Sequence, residues 1–213
     1  MDTPLTLDPR TTALLLIDLQ NDFCAPEGFY GRSGRDVRAL QEAVAPNAAM
    51  LARARAAGLT IAFTRLVHDH ARGAMEARHT LRPKAWTTSG TRLIPGTWGA
   101  DVVDALAPRE GEIVIDKAGY SAFHDTPLEA ELRARGVRTI LLSGVTTYAC
   151  VLASAFAAFD RDFDVVLLTD LVGSWAPTLD TATGQIVDFL MGHARDSASL
   201  TFEPTTNGDP HDL

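Results

Sequence analysis

Thr139-Ile140-Leu141-Leu142-Ser143-Gly144-Val145-Thr146-Thr147-Tyr148-Ala149-Cys150-Val151 is the stretch whose reading decides the fold. Its first half is an unbroken run of β-branched residues and leucines, as expected of a strand buried on both faces. Past Ser143-Gly144 the period changes, and Val151, Leu152, Ala155 and Phe156 recur at the spacing of one helix face. A buried strand feeding a helix is half of a βαβ unit, and it puts Cys150 in the first turn of that helix. Unpaired backbone N–H groups and the positive end of the helix dipole there favour a thiolate over a thiol, and the same N–H groups can bind an oxyanion. A free cysteine is more often a small buried hydrophobe, so a nucleophile at position 150 needs partners from elsewhere in the chain.

Further strands are expected over 13–17, where an apolar run ends in Asp18, over 59–63, over 112–116, whose end delivers Lys117, over 163–168 and over 198–202. Between them the pattern is helical over 35–57, with Gly58 as the residue past the helix end and Pro46 marking a kink or a break. A short helix is expected over 101–106, and Thr126-Pro127-Leu128-Glu129 reads as a capping box opening a helix that stops at Gly136. A last helix covers about 181–194. Residues 19–34 read as loop, and 65–99, with its scattered Pro, Gly and Trp, as a lid or binding loop. Strands alternating with helices imply an α/β fold in which helices cover both faces of a parallel sheet. Ligands bind such sheets beyond the carboxyl ends of the strands. Asp18, Lys117 and Cys150 all emerge on that edge, where a carboxylate could take the thiol proton and an ammonium could tune the sulfur.

With 46% hydrophobic and 22% charged residues among 213, the chain can build one well-buried core, so 1–213 is expected to be a single domain, with 203–213 a polar tail. The net charge of −8 and the scattered arginines argue against nucleic acid as a partner. Two cysteines make no disulfide framework, and neither a signal peptide nor an apolar membrane span is present in the sequence, so a cytoplasmic location away from membranes is expected.

The blocks 13–23, 116–123 and 143–151 resemble the three signature blocks of the isochorismatase-like cysteine hydrolases, a superfamily that includes nicotinamidases, N-carbamoylsarcosine amidase, biuret hydrolases and ureidoacrylate amidohydrolases. The resemblance runs from about Thr12 to Phe202. It implies a three-layer α/β/α fold, Rossmann-like, with a six-stranded parallel sheet in the order 3-2-1-4-5-6. It also implies a catalytic triad of Asp18, Lys117 and Cys150, a cis peptide between Val145 and Thr146, and an oxyanion hole from the N–H groups of Thr146 and Cys150. Isochorismatase itself lacks the cysteine, so Cys150 points to the amidase branch, acting through a thioester. The implied partner is a small linear ureide or carbamoyl substrate, with no metal or organic cofactor, in a homo-oligomer of two or four copies. Phe23, Tyr30, His68, Trp98 and Tyr120 are the substrate-binding candidates. Nicotinamidases of the family carry a metal after the second strand; His68, His70 and His79 do not follow that order here, and a metal-dependent nicotinamidase is kept as an alternative. A binding protein without activity is a second one. The carbamoylsarcosine enzyme holds a substrate carboxylate with an arginine downstream of its cysteine; Trp175 stands near that place here, which argues against a carboxylate-bearing substrate unless Arg65 or Arg72 takes the task.

Overall fold

The computed structural model describes residues 4–68, 81 and 92–204. Strand β1 (Leu5–Leu7) pairs in parallel with β8 (Leu200–Phe202) in a small separate sheet. The main sheet holds β2 (Thr12–Ile17), β3 (Thr60–Leu66), β4 (Ile113–Lys117), β5 (Thr139–Val145), β6 (Asp164–Gly173) and β7 (Gly192–Arg195). All pair in parallel, in the order β4-β3-β2-β5-β6-β7. Counted within that sheet this is 3-2-1-4-5-6. The order reverses direction between β2 and β5, which creates the crevice where such sheets bind ligands.

Why β2 takes the centre is visible in its side chains. Leu14 and Leu16 enter one core cluster with Phe63, Met50 and Leu51, while Ala13, Leu15 and Ile17 enter the other with Ile140, Leu142, Val151 and Ala155. A strand of period two that is buried at every position and apolar from Ala13 to Ile17 has no solvent face to offer. Each fully buried leucine contributes roughly 1.5–3 kcal/mol.

The helices are α1 (Asn21–Cys24), α2 (Phe29–Arg32), α3 (Arg38–Glu42), α4 (Val44–Ala57), α5 (Leu128–Ala134), α6 (Leu152–Phe159) and α7 (Pro177–Leu190). The stretch over 35–57 is thus two helices that meet at Ala43, and Pro46 falls in the first turn of α4, where its missing N–H is not needed. Gly58 ends α4 with φ +80°. Five expectations are corrected. Residues 19–34 hold two single-turn helices, too short to leave a periodic signal. In place of a helix over 101–106 there are 3-10 turns at Trp98–Ala100 and Asp104–Leu106. The sixth strand of the sheet is β7, not 198–202: its sequence Gly-His-Ala-Arg carries no apolar run because an edge strand is covered on one side only. Accordingly the last helix begins and ends four residues earlier than 181–194. The capping box is weak as well, since the Thr126 hydroxyl accepts from Leu128 N only at 3.5 Å.

Gly144 bends the end of β5. It has φ +109°, and a β-carbon there would run into the Ile17 carbonyl of β2, so only glycine lets these strands stay together. The β5–β6 register shifts between Leu142 and Gly144. That irregularity delivers Val145 and Thr146 to the carboxyl edge of the sheet. Among the described residues no helix is long and apolar enough to cross a membrane.

Candidate active site

Asp18 follows the last residue of β2 with φ +53°, a left-handed turn that Asp tolerates better than most residues. Its N–H bonds the Thr64 carbonyl at 3.1 Å, which fixes the turn to β3. The turn aims the carboxylate back over the strand ends, where Thr64 Oγ1 donates to Oδ1 at 2.6 Å and Lys117 Nζ to Oδ2 at 2.7 Å. Lys117 comes from the end of β4 and also donates to the Gly119 carbonyl at 3.0 Å. The side chains of the Asp18–Lys117 pair are 0% exposed. Cys150 reaches the same point from β5. It lies in a π-helical turn, Thr147–Val151, that leads into α6, and it is buried. Its thiol is close enough to Asp18 and Lys117 for both charges to act on it. The structure therefore brings together three residues drawn from three separate strand ends, Asp18 and Lys117 being 99 positions apart.

One electrostatic expectation is corrected. Burial pushes the Cys150 thiol up, the Asp18 charge pushes it further, and Lys117 pulls it down by less. At rest the sulfur is a thiol, because taking an anion out of water beside a carboxylate outweighs one ammonium. For Lys117, burial acts to lower the pKa, but chiefly the Asp18 charge and the hydrogen bond to it hold it above the ordinary lysine value. Cys24, on α1, is a second buried thiol, pushed up from 9.0 to about 12 by burial and by Asp18. All three groups keep their protons more tightly in the folded state. The stability this gives is fully present below the ordinary values near 9 to 10.5 and is lost as pH rises through the raised ones, at about 1.4 kcal/mol per pH unit for each group. The melting temperature is expected to fall steeply from pH 9 to pH 11; a flat profile across that range contradicts the assignment.

The Val145–Thr146 peptide is cis. The Thr146 carbonyl accepts from Ala149 N at 3.1 Å and Val151 N at 3.3 Å. Ser154, which the sequence did not single out, donates to the Cys150 carbonyl at 2.6 Å and accepts from Ala122 N at 2.9 Å, tying the cysteine turn to the loop after Lys117. Thr64 was also missed, although it pairs in register with Ile17, immediately before Asp18. That register, had the strand pairing been known, would have found it.

The substrate-binding candidates divide. Phe23 stacks on Tyr30 with centroids 5.2 Å apart, and Tyr30 meets Trp175 at 5.0 Å, so these rings form a packed wall rather than free pocket side chains. Tyr120 and Trp98 are 37% and 48% exposed. His68 is buried, and its N–H bonds the Leu93 carbonyl at 2.9 Å. His70, His79 and Arg72 lie outside the described residues. Arg65 is engaged by Asp116, at 2.6 and 3.0 Å, and by Asp101 at 3.3 Å. Among the described residues no group of three or more His, Cys, Asp or Glu is placed to hold a metal ion. Asp22 closes the wall: its buried carboxylate accepts from Phe29 N at 2.8 Å and Leu93 N at 2.7 Å.

Comparison with known proteins adds four findings. Residues 12–188 match the profile of a family described as the isochorismatase domain. A ureidoacrylate amidohydrolase, RutB of Methylobacterium radiotolerans, is 33% identical over 208 residues, 92% of this chain and 81% of that protein. Among solved structures, an isochorismatase family protein from Desulfovibrio vulgaris superposes with a TM-score of 0.73 at 32% identity, covering 87% of this chain and 94% of the other. A cysteine hydrolase from Pseudomonas syringae does so with 0.78 at 25% identity, covering 90% and 91%.

Proposed function

Because the chain belongs to the isochorismatase domain family, we propose that it is a hydrolase of non-peptide C–N bonds, a single-domain amidohydrolase whose Cys150 attacks a small linear ureide or carbamoyl compound. The observation that carries the reading is the buried Lys117–Asp18 pair, 2.7 Å apart, set against the Cys150 thiol. A neutral thiol cannot attack well, and this one has a carboxylate beside it to take its proton as the new S–C bond forms.

Asp18 thus acts as general base, and Lys117 holds the carboxylate in place and offsets the charge that moves between sulfur and oxygen. In an α-helix the Cys150 N–H would bond the Thr146 carbonyl. Here Ala149 and Val151 take that carbonyl, which favours the Thr146 and Cys150 N–H groups as donors to the oxyanion. The tetrahedral intermediate collapses by breaking the C–N bond, and Asp18 returns the proton to the departing nitrogen. Water then attacks the carbonyl carbon of the thioester, losing a proton to Asp18; the C–S bond breaks, and the departing sulfur takes that proton back to restore the thiol. With a carbamoyl substrate the first product is ammonia or an amine; the carbamate formed on the second route decomposes, so ammonia appears either way.

The choice of ureides is supported by the relative named a ureidoacrylate amidohydrolase. The test is ammonia release from ureidoacrylate, N-carbamoylsarcosine, biuret and nicotinamide. Turnover of the first two ahead of nicotinamide is the expected result. Preference for nicotinamide overturns the substrate class, and no ammonia from any of the four overturns the enzyme.

A further inference from the structure

Helix α6 reads Leu-Ala-Ser-Ala-Phe-Ala-Ala-Phe and carries no charged residue. Its one hydroxyl, on Ser154, is buried, accepting from Ala122 N and donating to the Cys150 carbonyl. A helix on the surface of a lone globular chain turns a polar face to water, and one that is apolar all round is covered. Yet Phe156 and Phe159 are 40% and 46% exposed. Helix α7 packs beside α6 over the same core, where Val187 and Met191 join Ala155 and Ala158. It too leaves large apolar side chains in water: Leu179 is 47%, Phe189 87% and Leu190 53% exposed.

These side chains form one face. Leu179, Ile186 and Leu190 recur at helical spacing along one side of α7. The two charged residues of α7, Asp180 and Asp188, lie on another side, where they line a cleft toward β7 with Thr169 and Ala194. Asp180 accepts from Ser174 Oγ at 2.5 Å and Asp188 from Ala194 N at 3.2 Å. The neighbour on the side away from β7 is α6, so its phenylalanines and the α7 leucines meet across an uncharged surface.

Magnitude and charge together say what covers it. Three phenylalanines at these exposures leave roughly 350 Å² of ring in water before the leucines are added, and contiguous apolar patches beyond a few hundred Å² are rare on monomers. A stable dimer buries about 800 Å² on each partner, with a core more apolar than the rest of the surface. The two helices supply a core of that size. A partner that recognises charge finds none here. Two copies of a chain with net charge −8 repel one another, so they can meet closely only where neither brings charge to the contact, and a two-fold axis makes such a face its own complement.

We propose that the α6–α7 face is a dimer interface, on which a second copy of this chain packs its own α6 and α7 about a two-fold axis, each Phe189 enclosed by the other copy. The inference goes beyond the amidohydrolase reading and does not depend on it.

The test is sedimentation velocity on the full chain from low to high micromolar concentration. The wild type is expected to sediment as a dimer. The double variant Phe159→Glu with Phe189→Glu is expected to sediment as a monomer, its dimer Kd raised at least about a hundredfold. Both side chains are exposed within one copy, so far-UV circular dichroism should match the wild type. Val114→Glu is the control: Val114 is exposed on β4, the edge strand at the far end of the sheet, and its variant should remain a dimer. A wild type that is monomeric throughout, or a double variant that assembles as the wild type does, overturns the proposal. So does an assembly split by Val114→Glu and not by the double variant.

Discussion

A Cys150→Ala variant is expected to fold normally and to lose turnover by at least about 10⁴-fold, the scale seen when a covalent nucleophile is deleted. The two halves of that result have different causes. Folding survives because the side chain removed is small: one heavy atom costs about 1 kcal/mol of burial, and the sulfur is a neutral thiol, so no charge is left without its partner. Turnover fails because, among the described residues, the other side chains near Asp18 offer no substitute nucleophile. Thr64 already spends its proton on that carboxylate, and Cys24 is a thiol with a pKa near 12. Cys150→Ser should be almost as poor, since a hydroxyl in the same dry site is harder still to deprotonate. Wild-type protein quenched during turnover is expected to carry an acyl group on the peptide that contains Cys150. A Cys150→Ala protein with full activity ends the covalent mechanism.

How much of this was legible beforehand depends on how far each feature depends on its own residues. The strand at 139–145 and the one at 12–17 could be read because burial on both faces forces an apolar run. β7 could not, because an edge strand is covered on one side and its Gly-His-Ala-Arg sequence is permitted by its neighbours rather than demanded by itself. The convergence of Asp18, Lys117 and Cys150 followed from the rule that parallel sheets open at their carboxyl ends. The protonation of the sulfur did not follow: spacing puts a lysine nearby, but whether the lysine outweighs burial and the Asp18 charge depends on solvent exclusion, which no spacing encodes.

The second large effect is expected at the buried pair. Lys117→Met and Asp18→Asn should each abolish turnover and also lower the stability by about 3–5 kcal/mol, because each leaves the other charge in the core with no counterpart. For a chain of this length that amounts to a drop in melting temperature on the order of 10 °C. The two losses separate in the double variant Asp18→Asn with Lys117→Met, in which neither charge remains. Desolvating two ions costs about as much as their attraction returns, so the double variant should recover most of the stability lost by either single one while staying inactive. Thermal melts beside ammonia assays make the comparison. If the single variants melt with the wild type, the pair is not buried as described. If the double variant regains activity along with stability, Asp18 and Lys117 serve the fold alone and the chemistry must lie elsewhere. The same logic separates this pair from the surface ion pairs, such as Arg38 with Asp36, whose removal should leave both readouts almost unchanged.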